Sequence, residues 1–182
     1  SGTLDTALLA EGLAEKGDLA ALEYIGQLAE VQPIEAEVAF ARLARRRGDN
    51  EVAMRGLLAA FVGYRADPWP SQAMMGRALR LADDIVAAQP EKAPLLFDAL
   101  TPPFAVATVE QPRLMERLGL ATRPGMADRC VEAFFLLEPH VPWNEEALRF
   151  RSRCYADHHH PLAARAERDL AEFSSSAPPP PR

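Results

Sequence analysis

Proline and glycine cut this chain into stretches that suit helices and almost nothing else. Between the cuts, apolar residues recur at three- and four-residue spacing, Leu and Ala dominate, and β-branched residues are scarce. No alternating Val/Ile/Thr segment and no Asn-Gly hairpin turn occurs. The pattern predicts an all-α fold of about ten helices. The first covers about Leu4–Lys16, the second is capped by Asp18 and continues to about Val31, the third covers about Ile34–Arg47, and the fourth begins after Asp49-Asn50 and runs to about Tyr64. The next begins between Pro68 and Pro70 and runs to about Ala88, followed by one at Glu91–Leu100 with Pro94 in its first turn. Thr101-Pro102-Pro103-Phe104 breaks the pattern. Four more follow at about Gln111–Leu120, Gly125–Leu137, Asn144–Ala156 and Pro161–Phe173.

The 182 residues, 48% hydrophobic and 25% charged, suffice for one domain with a substantial core, expected over 1–173. Residues 174–182, with a serine run and four prolines, read as an extended tail or linker. A net charge of −6 argues against generic attraction to nucleic acid or an anionic membrane. No apolar run approaches the ~20 residues that span a bilayer. The opening Ser1-Gly2, without an initiator Met, predicts a piece of a longer polypeptide, for which a cytoplasmic setting is expected. Cys130 and Cys154 pair only if the fold brings them together, and reduced, buried thiols are the expectation.

Gly17-Asp18 and Gly48-Asp49 lie 31 residues apart, each between two amphipathic helices. The glycine permits a left-handed end to one helix and the aspartate caps the next. Ala41, Ala44, Ala53 and Ala60 fall where two such helices must approach closely, and Phe40, Leu57 and Phe61 fill between them. In this the chain resembles the tetratricopeptide repeat. The match is closest over Ala36–Tyr64 and weaker over about Leu4–Pro33. A third candidate, Asn144–Phe173, has Ala147, Leu148, Tyr155, Ala164 and Ala171 at suitable spacings, with His158-His159-His160-Pro161 in place of Gly-Asp. The family's usual first-helix aromatic is absent from all three, Pro68 falls about three residues late, and Pro70–Leu137 does not follow the pattern. The resemblance covers about half the chain and implies an α-solenoid of antiparallel helix pairs. A second echo aligns Pro68-Trp69, Ala73, Arg77 and Ala82-Asp83 with Pro142-Trp143, Ala147, Arg151 and Ala156-Asp157 at an offset of 74. The segments Asp67–Pro70 and Pro103–Val106 also resemble helical-repeat extensions of bacterial spermidine-synthase-like proteins, which implies an accessory domain and no activity.

Nothing in the chain points to an enzyme: no GxSxG elbow, phosphate loop, dinucleotide-binding glycine pattern or HExxH helix occurs. Asp83-Asp84 and Glu145-Glu146 are adjacent on helices and read as solvated faces or first-turn charges. The three consecutive histidines point in different directions, lack a matching Cys/His spacing and predict no metal site; no cofactor is expected. His160 is expected at a helix start, with His158 and His159 in an exposed turn and His140 on a surface loop. Met74-Met75 and Phe134-Phe135 read as core, and Trp69 and Trp143 as staples against the helices that follow them. The sharpest functional candidate is Arg42, Arg45 and Arg46, with Arg47 beside them. The resemblance implies that the first three project onto a concave face that receives an extended, acidic peptide or partner protein. The alternative is a solvated helix face paired with Glu35, Glu37 and Glu51. Two functions follow: a protein–protein interaction module, or an accessory domain packed on an enzymatic domain of the same polypeptide.

Overall fold

The structure is a computed structural model that describes residues 2–176. It is all-α, with ten α-helices and no strand among the described residues. By packing, the chain divides into two compact units, Ser1–Leu120 and Ala121–Arg182, where the sequence reading expects a single domain over 1–173. No described helix is long and apolar enough to cross a membrane.

The first unit is built from α1 (Thr3–Glu15), α2 (Ala21–Ala29), α3 (Pro33–Arg46), α4 (Asn50–Tyr64), α5 (Gln72–Ala88), α6 (Ala93–Ala99) and α7 (Glu110–Ala121), whose last residue passes into the second unit. α1 packs on α2 and α3, α2 on α3, α3 on α4 and α5, and α4 on α5 and α6. The residues expected to allow close approach do so: Ala41, Ala53, Ala60, Leu57 and Phe61 are all fully buried. The α3–α4 crossing is tighter than alanine alone permits. A Cβ added to Gly56 would stand 3.1 Å from the Ala41 Cβ, and one at Gly63 would stand 2.7 Å from the Ile34 Cγ1.

Helix α1 ends in a Schellman turn. Gly17 takes φ 71°, its N–H donates to the Ala14 carbonyl (3.0 Å), and the Asp18 N–H donates to the Leu13 carbonyl (3.0 Å). Helix α3 ends identically at Gly48 (φ 87°), with Gly48 N–H to Arg45 O (3.1 Å) and Asp49 N–H to Ala44 O (2.9 Å). Asp49 then caps α4 by accepting from the Val52 N–H at 3.1 Å. Asp18 differs from the expected cap: it accepts from the Ala20 N–H at 2.9 Å, and α2 begins only at Ala21. Glu91–Leu100 opens as a 3-10 turn, Pro90–Lys92, before α6. The break at Thr101–Phe104 is docked rather than loose. Phe104 packs on the Phe61 and Tyr64 rings at 5.7 and 5.6 Å. Buried Arg113 donates to the Thr101 carbonyl (3.1 Å), and Arg65 donates to the Ala99 carbonyl (2.6 Å). Arg117 sits 3.8 Å over the Phe97 ring.

The second unit holds α8 (Cys130–Phe135), α9 (Glu145–Asp157) and α10 (Ala163–Ser176). α8 is shorter than the expected Gly125–Leu137, because Gly125 adopts φ 81° and Ala127–Arg129 is a 3-10 turn. Its centre is Phe134, against Phe150 and Tyr155 at 5.5 and 5.8 Å between ring centres. Arg151, whose side chain is 2% exposed, bonds Glu138 and Asp169, each at 2.6 Å, and so ties α9 to the loop before it and to α10. The Tyr155 hydroxyl donates to Glu138 at 3.1 Å. Where sequence expects reduced thiols, Cys130 and Cys154 are joined in a disulfide, because α8 and α9 bring their Cα atoms to 6.1 Å.

The third repeat candidate keeps the Schellman geometry without glycine. His159 takes the left-handed position (φ 49°) and donates to the Ala156 carbonyl (3.1 Å), while the His160 N–H donates to the Tyr155 carbonyl (2.8 Å). His160 also mimics Asp18, its Nδ1 accepting from the Leu162 N–H at 3.2 Å. α10 starts two residues later than expected, at Ala163. It also includes Ser174–Ser176, which the sequence reading assigns to the tail; their hydroxyls donate to the Leu170 and Glu172 carbonyls. Residues 177–182 lie outside the described residues.

Several core assignments change. Met74, Met75 and Phe134 are buried, but Phe135 is 74% exposed. Trp69 is 88% exposed and staples nothing; Trp143, 53% exposed, meets Phe173 edge-on at 6.5 Å instead of its own helix. The echo at offset 74 is not matched in burial throughout: Trp69 and Trp143 are both exposed, but Ala73 is exposed where Ala147 is buried.

Gly48→Ala puts a Cβ into open space, so its cost is purely conformational, about 1 kcal/mol. His159→Gly removes the corresponding strain and raises stability by about 0.5 kcal/mol. Urea unfolding of both variants checks the opposite signs. Burial, then the charge of Glu138, pushes the Tyr155 phenol up to about 12 from 10.0. Folding thus favours the neutral phenol: its contribution is intact below pH 10.0 and fades as pH climbs towards 12. In an ultraviolet titration, the phenolate signal that Tyr155→Phe removes is expected only near pH 12.

Candidate interaction groove

Helices α1, α3 and α5 each turn one face to a common cleft of about 470 Å³. α1 supplies Glu11 and Glu15, four residues apart, together with Leu8 and Gly12. α3 supplies Arg42 and Arg46 at the same spacing, and α5 supplies Arg77, Arg80 and Asp84. Four guanidinium groups therefore face three carboxylates, which leaves one positive charge in excess.

The arginines do different work. Arg42, its side chain 9% exposed, bonds Asp84 at 2.8 Å, lies 3.3 Å from Glu15 and donates to the Arg77 carbonyl at 3.1 Å. It is a fastener between α1, α3 and α5. Arg46 is half-exposed and pairs with Glu15. Arg77 pairs with Glu11, while burial and then the charge of Arg80 lower its pKa from the ordinary guanidinium value. Arg80 is exposed and has no carboxylate partner among the described residues.

Of the three arginines singled out by sequence, the cleft contains Arg42 and Arg46. Arg45 does not line it; its guanidinium donates to the Asp84 carbonyl at 3.2 Å. Arg47 donates to the Gly17 carbonyl at 3.3 Å. The alternative of pairing with Glu35, Glu37 and Glu51 is corrected: Glu15 and Asp84 are the partners. Glu35 accepts instead from the Ser71 N–H (2.7 Å), and Glu51 from Lys92 (2.6 Å). Sequence reasoning missed Arg77, Arg80, Glu11 and Glu15. Their three- and four-residue spacings were present as a signal, but they belong to helices whose proximity only the fold reveals.

The histidine triplet does not act as one ligand set. His160 stacks on Tyr155 at 4.1 Å, His159 is spent on the turn, and His158 faces Cys130, with its Nδ1 3.9 Å from that Sγ. Cys130, Cys154 and His158 are the cluster in the described residues whose donor atoms could share an ion, all lying within 4.8 Å of one another.

No protein-family model matches this chain, and neither the curated proteins nor the solved structures contain a match to it.

The division of labour among the arginines is measurable. Arg42→Met leaves two carboxylates without their shared cation and is expected to cost about 2 kcal/mol in urea unfolding. Arg46→Met, on the exposed rim, stays within about 0.5 kcal/mol of the parent.

Proposed function

We propose that the first unit is a protein-interaction module of tetratricopeptide-like helix pairs, which takes an acidic segment of a partner chain into the cleft between α1, α3 and α5. One observation carries the reading: α1, α3 and α5 line one cleft with an excess of guanidinium, including Arg80, which has no ion-pair partner among the described residues. The packing of α1 on α2 and α3 and of α3 on α4 and α5, together with the twin Gly-Asp turns, supports the repeat character. Arginine suits the role because its planar fork bonds a carboxylate in two places and it stays charged at any physiological pH. Glu11, Glu15 and Asp84 hold the guanidinium groups in place, and an arriving carboxylate meets Arg80 first, then competes for Arg46 and Arg77.

A second reading, an accessory domain docked on an enzymatic domain, is favoured by Leu8 and Leu9, which stand 54% and 44% exposed on the first helix. The two readings part on salt and on side chain. A fluorescein-labelled glutamate decamer is expected to bind the native chain, with a decamer of lysine as the silent control, and binding is expected to weaken as salt rises. Arg80→Glu should weaken it at least tenfold with the melting temperature unchanged. Equal binding by the variant, or none by the native protein, removes the groove reading. Partner capture that survives high salt and disappears in Leu9→Ser, a residue outside the cleft lining, supports the docked domain.

A further inference from the structure

We propose that Cys130, Cys154 and His158 form a thiol-gated site for a thiophilic divalent cation, zinc by its chemistry, closed by the disulfide and opened by its reduction. The reading is independent of the groove.

Cys154 and His158 are four residues apart, so the last turn of α9 presents both on one face. His158 is the C-cap residue, and the Schellman turn through His159 fixes where its ring emerges. Cys130 reaches them from the first position of α8, set there by the 3-10 turn Ala127–Arg129. The Cα atoms of the two cysteines are 6.1 Å apart, and the Cys130 Sγ is 3.9 Å from the His158 Nδ1. Tetrahedral zinc, with Zn–S of about 2.3 Å and Zn–N of about 2.0 Å, spaces a sulfur and a nitrogen donor roughly 3.6 Å apart. Once the sulfur–sulfur bond is gone, the two thiolates need to part to roughly 3.8 Å, which side-chain rotation supplies.

The surroundings fit a bound ion. In the disulfide form the His158 Nδ1–H donates to the Cys154 carbonyl at 2.9 Å. When Nδ1 turns to the ion, the proton moves to Nε2, which lies 3.9 Å from the Asp128 carboxylate. A histidine on a metal characteristically gives its second N–H to a carboxylate, and the exposed Asp128 side chain, 3.9 Å from Nε2, needs a shift of under an ångström to accept it. Two thiolates and a neutral imidazole balance a divalent charge. A cleft of about 290 Å³, which includes Arg123, Arg153 and Asp157 in its wall, opens onto Cys130, Cys154 and His158 and gives the ion its path and a fourth, water, ligand. The two guanidinium groups there favour the thiolate over the thiol.

The chemistry balances with a dithiol as reductant. Its two sulfurs form a disulfide of their own as the Cys130–Cys154 bond breaks, and its two protons pass to the freed sulfurs. Binding the cation then forms two metal–sulfur bonds and releases both protons to solvent.

The test uses the full chain, oxidised or reduced by a dithiol that is then removed without air, and titrated with cobalt(II) as the probe. The reduced protein is expected to take up about one cobalt per chain with a thiolate-to-cobalt charge-transfer band and tetrahedral visible bands, which zinc then erases. The oxidised protein shows neither. Cys154→Ser abolishes the charge-transfer intensity. His158→Gln, a change at an exposed residue that leaves the core alone, weakens binding at least tenfold, and Asp128→Asn weakens it by a smaller factor. Zinc raises the melting temperature of the reduced protein and leaves that of the oxidised protein unchanged. A reduced, folded protein without the thiolate band overturns the proposal, as does cobalt affinity unaffected by His158→Gln.

Discussion

In a fold made of helices alone, every helix end leaves backbone groups without intrahelical partners, and each end must find them elsewhere. The architecture follows from where they are found. At Gly17, Gly48 and His159 the chain turns back through the left-handed region, and two N–H groups close onto the last carbonyls. At the end of α6 there is no such turn, and arginine side chains do the work: Arg65 reaches the Ala99 carbonyl, and Arg113 the Leu100 and Thr101 carbonyls. The first solution sends the chain straight back as a helix pair. The second leaves room for Thr101–Phe104 to lie across α4 before the chain resumes.

The same side chain thus serves structure and recognition. Arg42, Arg113, Arg117 and Arg151 are buried, and hydrogen bonds, carboxylates or an aromatic face offset the cost of taking a charge out of water. Arg46 and Arg80 keep their heads in solvent. What separates the groups is how many acceptors surround each guanidinium, and that number decides whether an incoming carboxylate meets a free fork or an occupied one.

Much of this was legible in the sequence. Pro33, Pro70 and Pro90 stop or start helices through backbone geometry alone, and the 3.6-residue period sets the buried face, so all ten helices were readable. The turns at Gly17 and Gly48 were readable for the same local reason. The rest depends on long-range neighbours. Glu15 and Asp84 are separated from Arg42 by 27 and 42 residues, and no pattern near Arg42 points to them. Cys130 and Cys154 carry no spacing signal that distinguishes a bond from two thiols. The burial of Phe134 and exposure of Phe135 turn on α8 stopping at Phe135, a boundary that a 3-10 turn shifts. Trp69 misleads for the opposite reason: its local context is that of a staple, and only the packing shows that nothing lies beneath it.

The link between Cys130 and Cys154 acts on the chain before it folds. It closes a loop across a sequence separation of 24, and a loop of that length removes conformations from the unfolded ensemble worth about 3 kcal/mol. No contact in the folded second unit displays that energy. Cutting the bond leaves the packing of Phe134, Tyr155 and Arg151 in place, yet the ensemble with which they compete grows larger. For a unit this small, the redox state of two sulfurs then weighs as much as a well-buried leucine.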